Sequence, residues 1–430
     1  MTRRLIMKTV RHNELRIDEL VSILGITIKH DEINKILTFI CQLSALTPDS
    51  QLNISFNAPS SSGKSFIPIE VAKLFPADKV IDLGYTSPTS FFHSYSQKDD
   101  ETGEYLVDLE GKILIFLDQP HNLLLEHLRP VLSHDKKEIK VRITDKQQKF
   151  GLRTKKITIR GYPAVIFCSA GLRFDEQEAT RFLLLSPETS QEKIREGILA
   201  SLNKSADSNE YFNIVELNPE RAKLIGRINA INNENIEEIQ IKSEDLEYIK
   251  KEFLGSIQML KPRHQRDIKR IVAISKTLAL LNLWHRSLSG NTIVVNRSDI
   301  VEAFRLWNAI SVAQELNIPP YVYRVFEDVI LEAFKDKNKG SLYSSIGVTR
   351  NEVLHKHNEV YGRYLDPLIL RQQFIPILSQ AGLITEEQDP SDKRKQLIYP
   401  LVQINSDTKQ GTEEHENNID LDEINRIFSS

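Results

Sequence analysis

Cysteine is nearly absent from this chain: Cys41 and Cys168 are the only two among 430 residues. That excludes a disulfide framework and a cysteine-rich zinc site. No stretch reaches the ~18 consecutive apolar residues that a membrane-spanning helix needs. A dominant charge is lacking too, since 56 basic residues face 59 acidic ones for a formal net charge of -3. Nucleic-acid binding driven by bulk charge is thereby excluded, whereas local basic patches are not. The basic N-terminus, Met1–Lys8, has no apolar stretch behind it and does not read as a secretion signal. A reducing cytoplasm is the expected compartment. What the chain does have is length. At roughly 100–200 residues per domain it predicts two or three domains with a large core.

The hydrophobic pattern divides the chain. Asp18–Leu24 and Asp31–Leu43 repeat apolar positions at three- and four-residue spacing, which predicts helices. Apolar strand patterns follow at Leu52–Phe56, Val80–Leu83, Lys112–Leu117, Ala164–Cys168 and Phe182–Leu185, with helices expected between them. Strands buried on both faces and alternating with helices predict an α/β domain with a mostly parallel sheet. Glu138–Ile143 and Lys155–Arg160 interrupt that rhythm and read as a β-hairpin with a basic end. Helices are expected over Arg266–Leu283 and Arg297–Leu316, and another after Pro319-Pro320. The expected division is a small helical region at 1–48, an α/β core at 49–200 and a helical lid region at 201–337. A compact unit at 338–403 and an acidic tail at 404–430 complete it. The tail is expected to be disordered until something binds it.

The strongest motif is Ala58-Pro59-Ser60-Ser61-Ser62-Gly63-Lys64-Ser65. It fits the A/G-x4-G-K-S/T form of a phosphate-binding loop, lying between a predicted strand and a predicted helix. Backbone N–H groups of such a loop hold anionic phosphates, and Gly63 permits close approach. Lys64 would reach the β and γ phosphates of ATP, and Ser65 would ligate Mg²⁺. Pro68 is an oddity, because it removes an N–H early in the following helix.

Ile113–Leu117 ends in Asp118, placed to hold Mg²⁺ if the strand ends converge on the phosphate site. The next residue is Gln119, where many hydrolytic ATPases carry a glutamate that polarises the attacking water. Glutamine has nearly the same shape but is no base. Three readings stay open: slow hydrolysis, a substitute carboxylate such as Glu126, or a deliberate Glu→Gln change that traps ATP.

Taken in order, these motifs resemble the ATPase module of the minichromosome-maintenance (MCM) helicases within the AAA+ ATPases, above all the MCM-like proteins of bacterial mobile elements. The resemblance covers about 50–315, with a winged-helix extension to about 402. Tyr85–Ser90, Thr102–Tyr105 and Leu109–Gly111 are similar to segments flanking the family's second and acidic strands. The basic hairpin matches one that in ring-shaped relatives points into a central channel and touches single-stranded DNA. The resemblance thus makes Lys146, Lys149 and Arg153 candidate phosphate contacts. The family's water-holding asparagine has no counterpart at Ala170, and Ser169 beside it is the candidate. Thr180-Arg181-Phe182 resembles the family's Ser-Arg-Phe segment, implying that Arg181 is an arginine finger for the neighbouring subunit's γ-phosphate. Arg266 opens a segment resembling the family's lid helix and would be the second sensor, with Arg263 and Arg270 as rivals. Arginines acting across an interface imply a closed ring, a homo-hexamer.

Residues 349–400 read as two helices and a hairpin, the winged-helix order. Arg371 and Gln372 fall at the start of the presumed recognition helix, and Lys393, Arg394 and Lys395 on the wing. Winged helices serve duplex DNA binding or protein docking. The first 48 residues are expected either to pack on the core or to bind a partner such as a primase or initiator. The resemblance implies an ATP-driven replicative helicase; an ATP-dependent DNA-binding switch or loading factor is the other reading.

Overall fold

The computed structural model describes residues 13–84, 86–98, 104–118, 121–145, 153–169, 180–255, 257, 259–339 and 346–401. Its centre is a five-stranded, all-parallel sheet. The strands are β1 (Asn53–Asn57), β2 (Val80–Leu83), β5 (Ile113–Phe116), β8 (Ala164–Ser169) and β9 (Leu183–Leu185). Their order across the sheet is β2-β5-β8-β1-β9. All residues of β1, β5, β8 and β9 are buried, as the near-continuous apolar runs require of strands covered on both faces.

The helices Ile17–Leu24 and Glu32–Ser44 belong to this core. Leu37, Phe39 and Ile40 are buried in one cluster with Ile54, Phe56 and Ile166 of the sheet. Polar groups fix the helix in place. Gln42 Nε2 donates to the Pro68 carbonyl at 2.9 Å, and the Leu52 amide donates to Ser44 Oγ at 2.8 Å. Thus these residues pack on the core, one of the two roles the sequence left open.

A second sheet lies beside the first, in the order β3 (Gln97–Lys98), β4 (Tyr105–Asp108), β7 (Arg153–Arg160), β6 (Glu138–Asp145). β6 and β7 form the expected antiparallel hairpin, while β4 runs parallel to β7. The crossing into β8 is tight. Gly161 has φ +91, and a Cβ there would lie 2.4 Å from the Glu110 amide nitrogen, so only glycine fits.

The region after residue 190 is helical. Helices Pro219–Asn232, Ser243–Gly255, His264–Leu281 and Arg297–Asn308 surround a small sheet of β10 (Glu238–Gln240), β11 (Ser287–Ser289) and β12 (Thr292–Val294). β11 and β12 pair around the Ser289-Gly290-Asn291 turn. Arg286 ties this sheet to the helix start through a buried bidentate pair with Asp299 at 2.8 and 2.7 Å.

The C-terminal unit has its own core around Tyr321, Phe326, Phe374 and Ile398. Contiguous helical segments Pro320–Val325, Phe326–Leu331 and Glu332–Lys337 lead into helix Arg350–Tyr361 and then the helical run of Pro367–Ile369, Leu370–Phe374 and Ile375–Gln380. A three-stranded antiparallel sheet, β13 (Val348–Thr349), β15 (Gln396–Pro400) and β14 (Ile384–Gln388), closes it. The acidic tail lies outside the described residues. Among the described residues no helix is long and apolar enough to cross a membrane.

Candidate functional site

Because all five strands run the same way, their C-terminal ends share one edge of the sheet. Ala58–Ser65 leaves β1 at that edge and Asp118 lies just beyond β5. Ser169 ends β8 there, pairs with Asn57 in register, and accepts a hydrogen bond from the Ala58 amide at 3.3 Å. The structure thereby brings together the loop, the acid and Ser169, three features more than fifty residues apart in sequence.

The loop has the conformation that its composition allows. Ser61 and Gly63 both have positive φ, 63° and 89°. A Cβ on Gly63 would meet nothing within 4 Å, so the demand there is conformational and the space above the loop is open. Ser62 Oγ is buried and has no hydrogen-bond partner. An orphaned hydroxyl in a loop with this backbone fits an anionic ligand. Lys64 Nζ lies 3.5 Å from the Pro59 carbonyl, across the loop. Pro68 occupies the third position of helix Phe66–Ala72. The first four N–H groups of a helix have no intrahelical partner, so its missing donor costs the helix nothing there.

Lys64 and Asp118 both act on the buried Cys168 thiol. Burial pushes the Cys168 thiol up to about 12; the nearby Lys64 ammonium opposes that rise and the Asp118 carboxylate adds to it. Cys168 Sγ also donates to the Lys64 carbonyl at 3.3 Å, pinning the loop to the neighbouring strand. Nothing in the sequence marked this cysteine beyond its scarcity. Among the described residues no cluster of three or more His, Cys, Asp or Glu could hold a metal. A magnesium ion at this loop would take Ser65 and Asp118 as protein ligands, with phosphate and water oxygens completing its shell. Glu126, on helix Asn122–Leu132, is exposed.

Arg181 and Arg266 lie at the other edge. They line a cleft of about 490 Å³ with Leu52, Asn53 and Leu183, residues at the N-terminal ends of β1 and β9. The rise of β1 alone separates that cleft from the Ala58–Ser65 loop by about 13 Å. Arg181 Nε donates to Ser133 Oγ at 2.7 Å, and Arg266 Nη1 donates to Thr180 Oγ1. The rival arginines are committed elsewhere. Arg263 pairs with Asp267 at 2.9 Å. Arg270 donates to Asp267 at 2.9 Å and to the Thr180 and Phe182 carbonyls at 2.8 and 3.0 Å. Burial pulls the Arg270 guanidinium down to about 10, although Asp267 opposes the shift. Arg266 is exposed, so it is the one of the three placed to meet a ligand. Lys269 and Lys276 add charge to the cleft, the latter paired with Asp49 at 3.2 Å.

On the hairpin, Lys146 and Lys149 lie outside the described residues, as do Gln119, Ala170 and the side chain of Arg153, which opens β7. The described strands add two candidates that the sequence reading missed. Arg142 and Lys156 face each other across the hairpin, both exposed. Like charges placed directly opposite are unfavourable unless an anion lies over them. Their alternation with Val141 and Ile157, both buried, was the available signal.

In the C-terminal unit Arg371 and Gln372 are exposed on Leu370–Phe374, one turn beyond the helix start at Pro367. Lys393, Arg394 and Lys395 occupy the β14–β15 turn. Asp392 partly neutralises them, at 3.1 Å from Arg394 Nε and 3.7 Å from Lys395 Nζ.

No known protein-family model matches this chain, and no curated protein sequence matches it.

Proposed function

We propose that the chain is an ATP-binding P-loop protein of the AAA+ class, similar to the MCM helicases, that works as a ring-forming, ATP-driven DNA motor. The observation that supports this reading is the placement of the candidate residues on two opposite edges of a single sheet. Lys64, Ser65 and Asp118 stand at the C-terminal edge. Arg181 and Arg266 stand at the N-terminal edge, separated from the same copy's loop by the length of β1, about 13 Å. A head-to-tail ring places the second edge of one copy against the first edge of the next.

In such a ring the loop amides and Lys64 hold the ATP phosphates, and Ser65 and Asp118 hold Mg²⁺. Bound there, Mg²⁺ neutralises charge on the phosphate oxygens. Arg181 and Arg266 of the adjacent copy add positive charge at the γ-phosphate. Ser169 accepts or donates a hydrogen bond at the attacking water. The hairpin, with Arg142 and Lys156, tracks a single strand through phosphate contacts. Residues 338–403 act as a winged-helix unit whose wing and Arg371 meet duplex backbone. The replicative role in a mobile element, and a primase or initiator partner, rest on the resemblance.

Gln119 favours a second reading, an ATP-dependent DNA-binding switch or loader. ATP turnover with and without single-stranded DNA, followed by fork unwinding, separates the two. Stimulated turnover with unwinding supports the motor; turnover or binding without unwinding supports the switch.

A further inference from the structure

Helix Gln191–Ala206 is sixteen residues long, and not one of them is buried. Ile194, Ile198 and Leu202, at four-residue spacing on one face, are 46%, 63% and 60% exposed. The next helix, Ser208–Glu216, buries only Val215 and leaves Phe212 and Ile214 at 54% and 60%. Isolated helices of this length are marginal in water, and their stability comes from packing an apolar face. An exposed apolar face of this extent marks an interaction surface.

Its position says what covers it. The first helix leaves the sheet just after β9, at the same edge as the phosphate loop. Burial raises the Tyr211 hydroxyl on the second helix; Glu70, on the helix after that loop, adds to the rise and Lys73 opposes it. The apolar pair therefore flanks the edge that a neighbouring copy must meet. The charges complement as well. Asp207 and Glu210 flank the second helix, which has no basic residue of its own; Glu216 is paired with Arg221, and Lys204 of the first helix lies over the Tyr211 ring. The opposite edge presents Arg181, Arg266 and Lys269. Adjoining that edge, just ahead of the Arg266 helix, Met259 and Leu260 are 74% and 65% exposed.

We propose that the apolar face of helices Gln191–Ala206 and Ser208–Glu216 is the seat for a second copy of this chain, which inserts Met259 and Leu260 there. The contact is heterologous, so it propagates around a ring. It rests on the ring reading above and names the surface that holds the ring together.

Leu202→Glu and Phe212→Glu test it by sedimentation in ATP and Mg²⁺. Both positions are exposed, so thermal melting of the dilute protein should be unchanged. Assembly should need at least tenfold more protein. Leu202→Cys combined with Met259→Cys should give a ladder of disulfide-linked species beyond the dimer on oxidation. The native thiols Cys41 and Cys168 are buried and stay out of it. Variants that assemble like the wild type, or an assembling double-cysteine protein with no ladder, overturn the proposal and leave the ring reading standing. A wild-type chain that never assembles overturns both. An environment-sensitive dye on Leu202→Cys should shift on assembly only. A shift in the dilute monomer that disappears when residues 404–430 are removed would assign the face to the tail, and the proposal would fall.

Discussion

Arg270 holds Thr180: its Nη2 donates to the Thr180 carbonyl at 2.8 Å from a fully packed position on helix His264–Leu281. The same guanidinium reaches Phe182 O and Asp267, so the helix that carries Arg266 also fixes the segment that carries Arg181. The two arginines of the cleft are thus one mechanical unit. Arg270→Ala leaves Asp267 and two carbonyls without this donor, and should destabilise the fold by about 3–5 kcal/mol in urea denaturation. Arg266→Ala, at an exposed position, should leave stability within about 0.5 kcal/mol while lowering ATP turnover in the assembled protein.

Gln119→Glu places a carboxylate next to Asp118 in the chain. If the site hydrolyses ATP, steady-state turnover should rise by about 10²-fold or more, the usual contribution of a general base. ATP affinity should change little, because the loop proposed to hold the phosphates is untouched.

Arg142→Ala and Lys156→Ala should weaken single-stranded DNA binding about equally for all sequences. The slope of log affinity against log salt should fall by about one per lost phosphate contact. Basal turnover without DNA should be unchanged, since both residues sit on the hairpin, away from the sheet edge.

His134 and His357 are both held below the ordinary imidazole value of 6.5 by burial. His134 Nε2 meets Gln51 Oε1 at 3.1 Å, and His357 Nδ1 meets the Arg363 carbonyl at 3.2 Å. The unfolded chain takes up these protons first. Their contribution to stability is therefore present above pH 6.5 and is lost as pH falls through the lower folded values. Melting temperature should be flat above about pH 7 and fall below it, and His357→Gln should shrink that fall.

The parallel sheet was legible because each strand is buried on both faces and so writes itself as an apolar run; β1, β5 and β8 were placed within one residue of their ends. Helix Glu32–Ser44 was legible from its period, but its burial against the sheet was not, because periodicity names a face and not what covers it. The partnership of β4 with β7 was invisible: Tyr105–Asp108 is four residues long, and its parallel neighbour lies fifty residues on. At the candidate site, the placement of Lys64 and Asp118 at one edge of the sheet was legible from motif order. Among Arg263, Arg266 and Arg270, the resemblance singled out Arg266 and left the other two as rivals. All three look alike in sequence, and only packing commits two of them to Asp267. Ser133, which receives Arg181, carried no signal at all.

The central claim is that one nucleotide site is built from two copies. Mixing Lys64→Ala with Arg181→Ala tests it most directly. Each variant alone should be nearly inactive, one lacking the phosphate lysine and the other the finger. Mixed in equal amounts, about a quarter of the interfaces should pair an intact Lys64 with an intact Arg181, and turnover should reappear. A mixture as inactive as its parts, while both variants assemble, would contradict the claim.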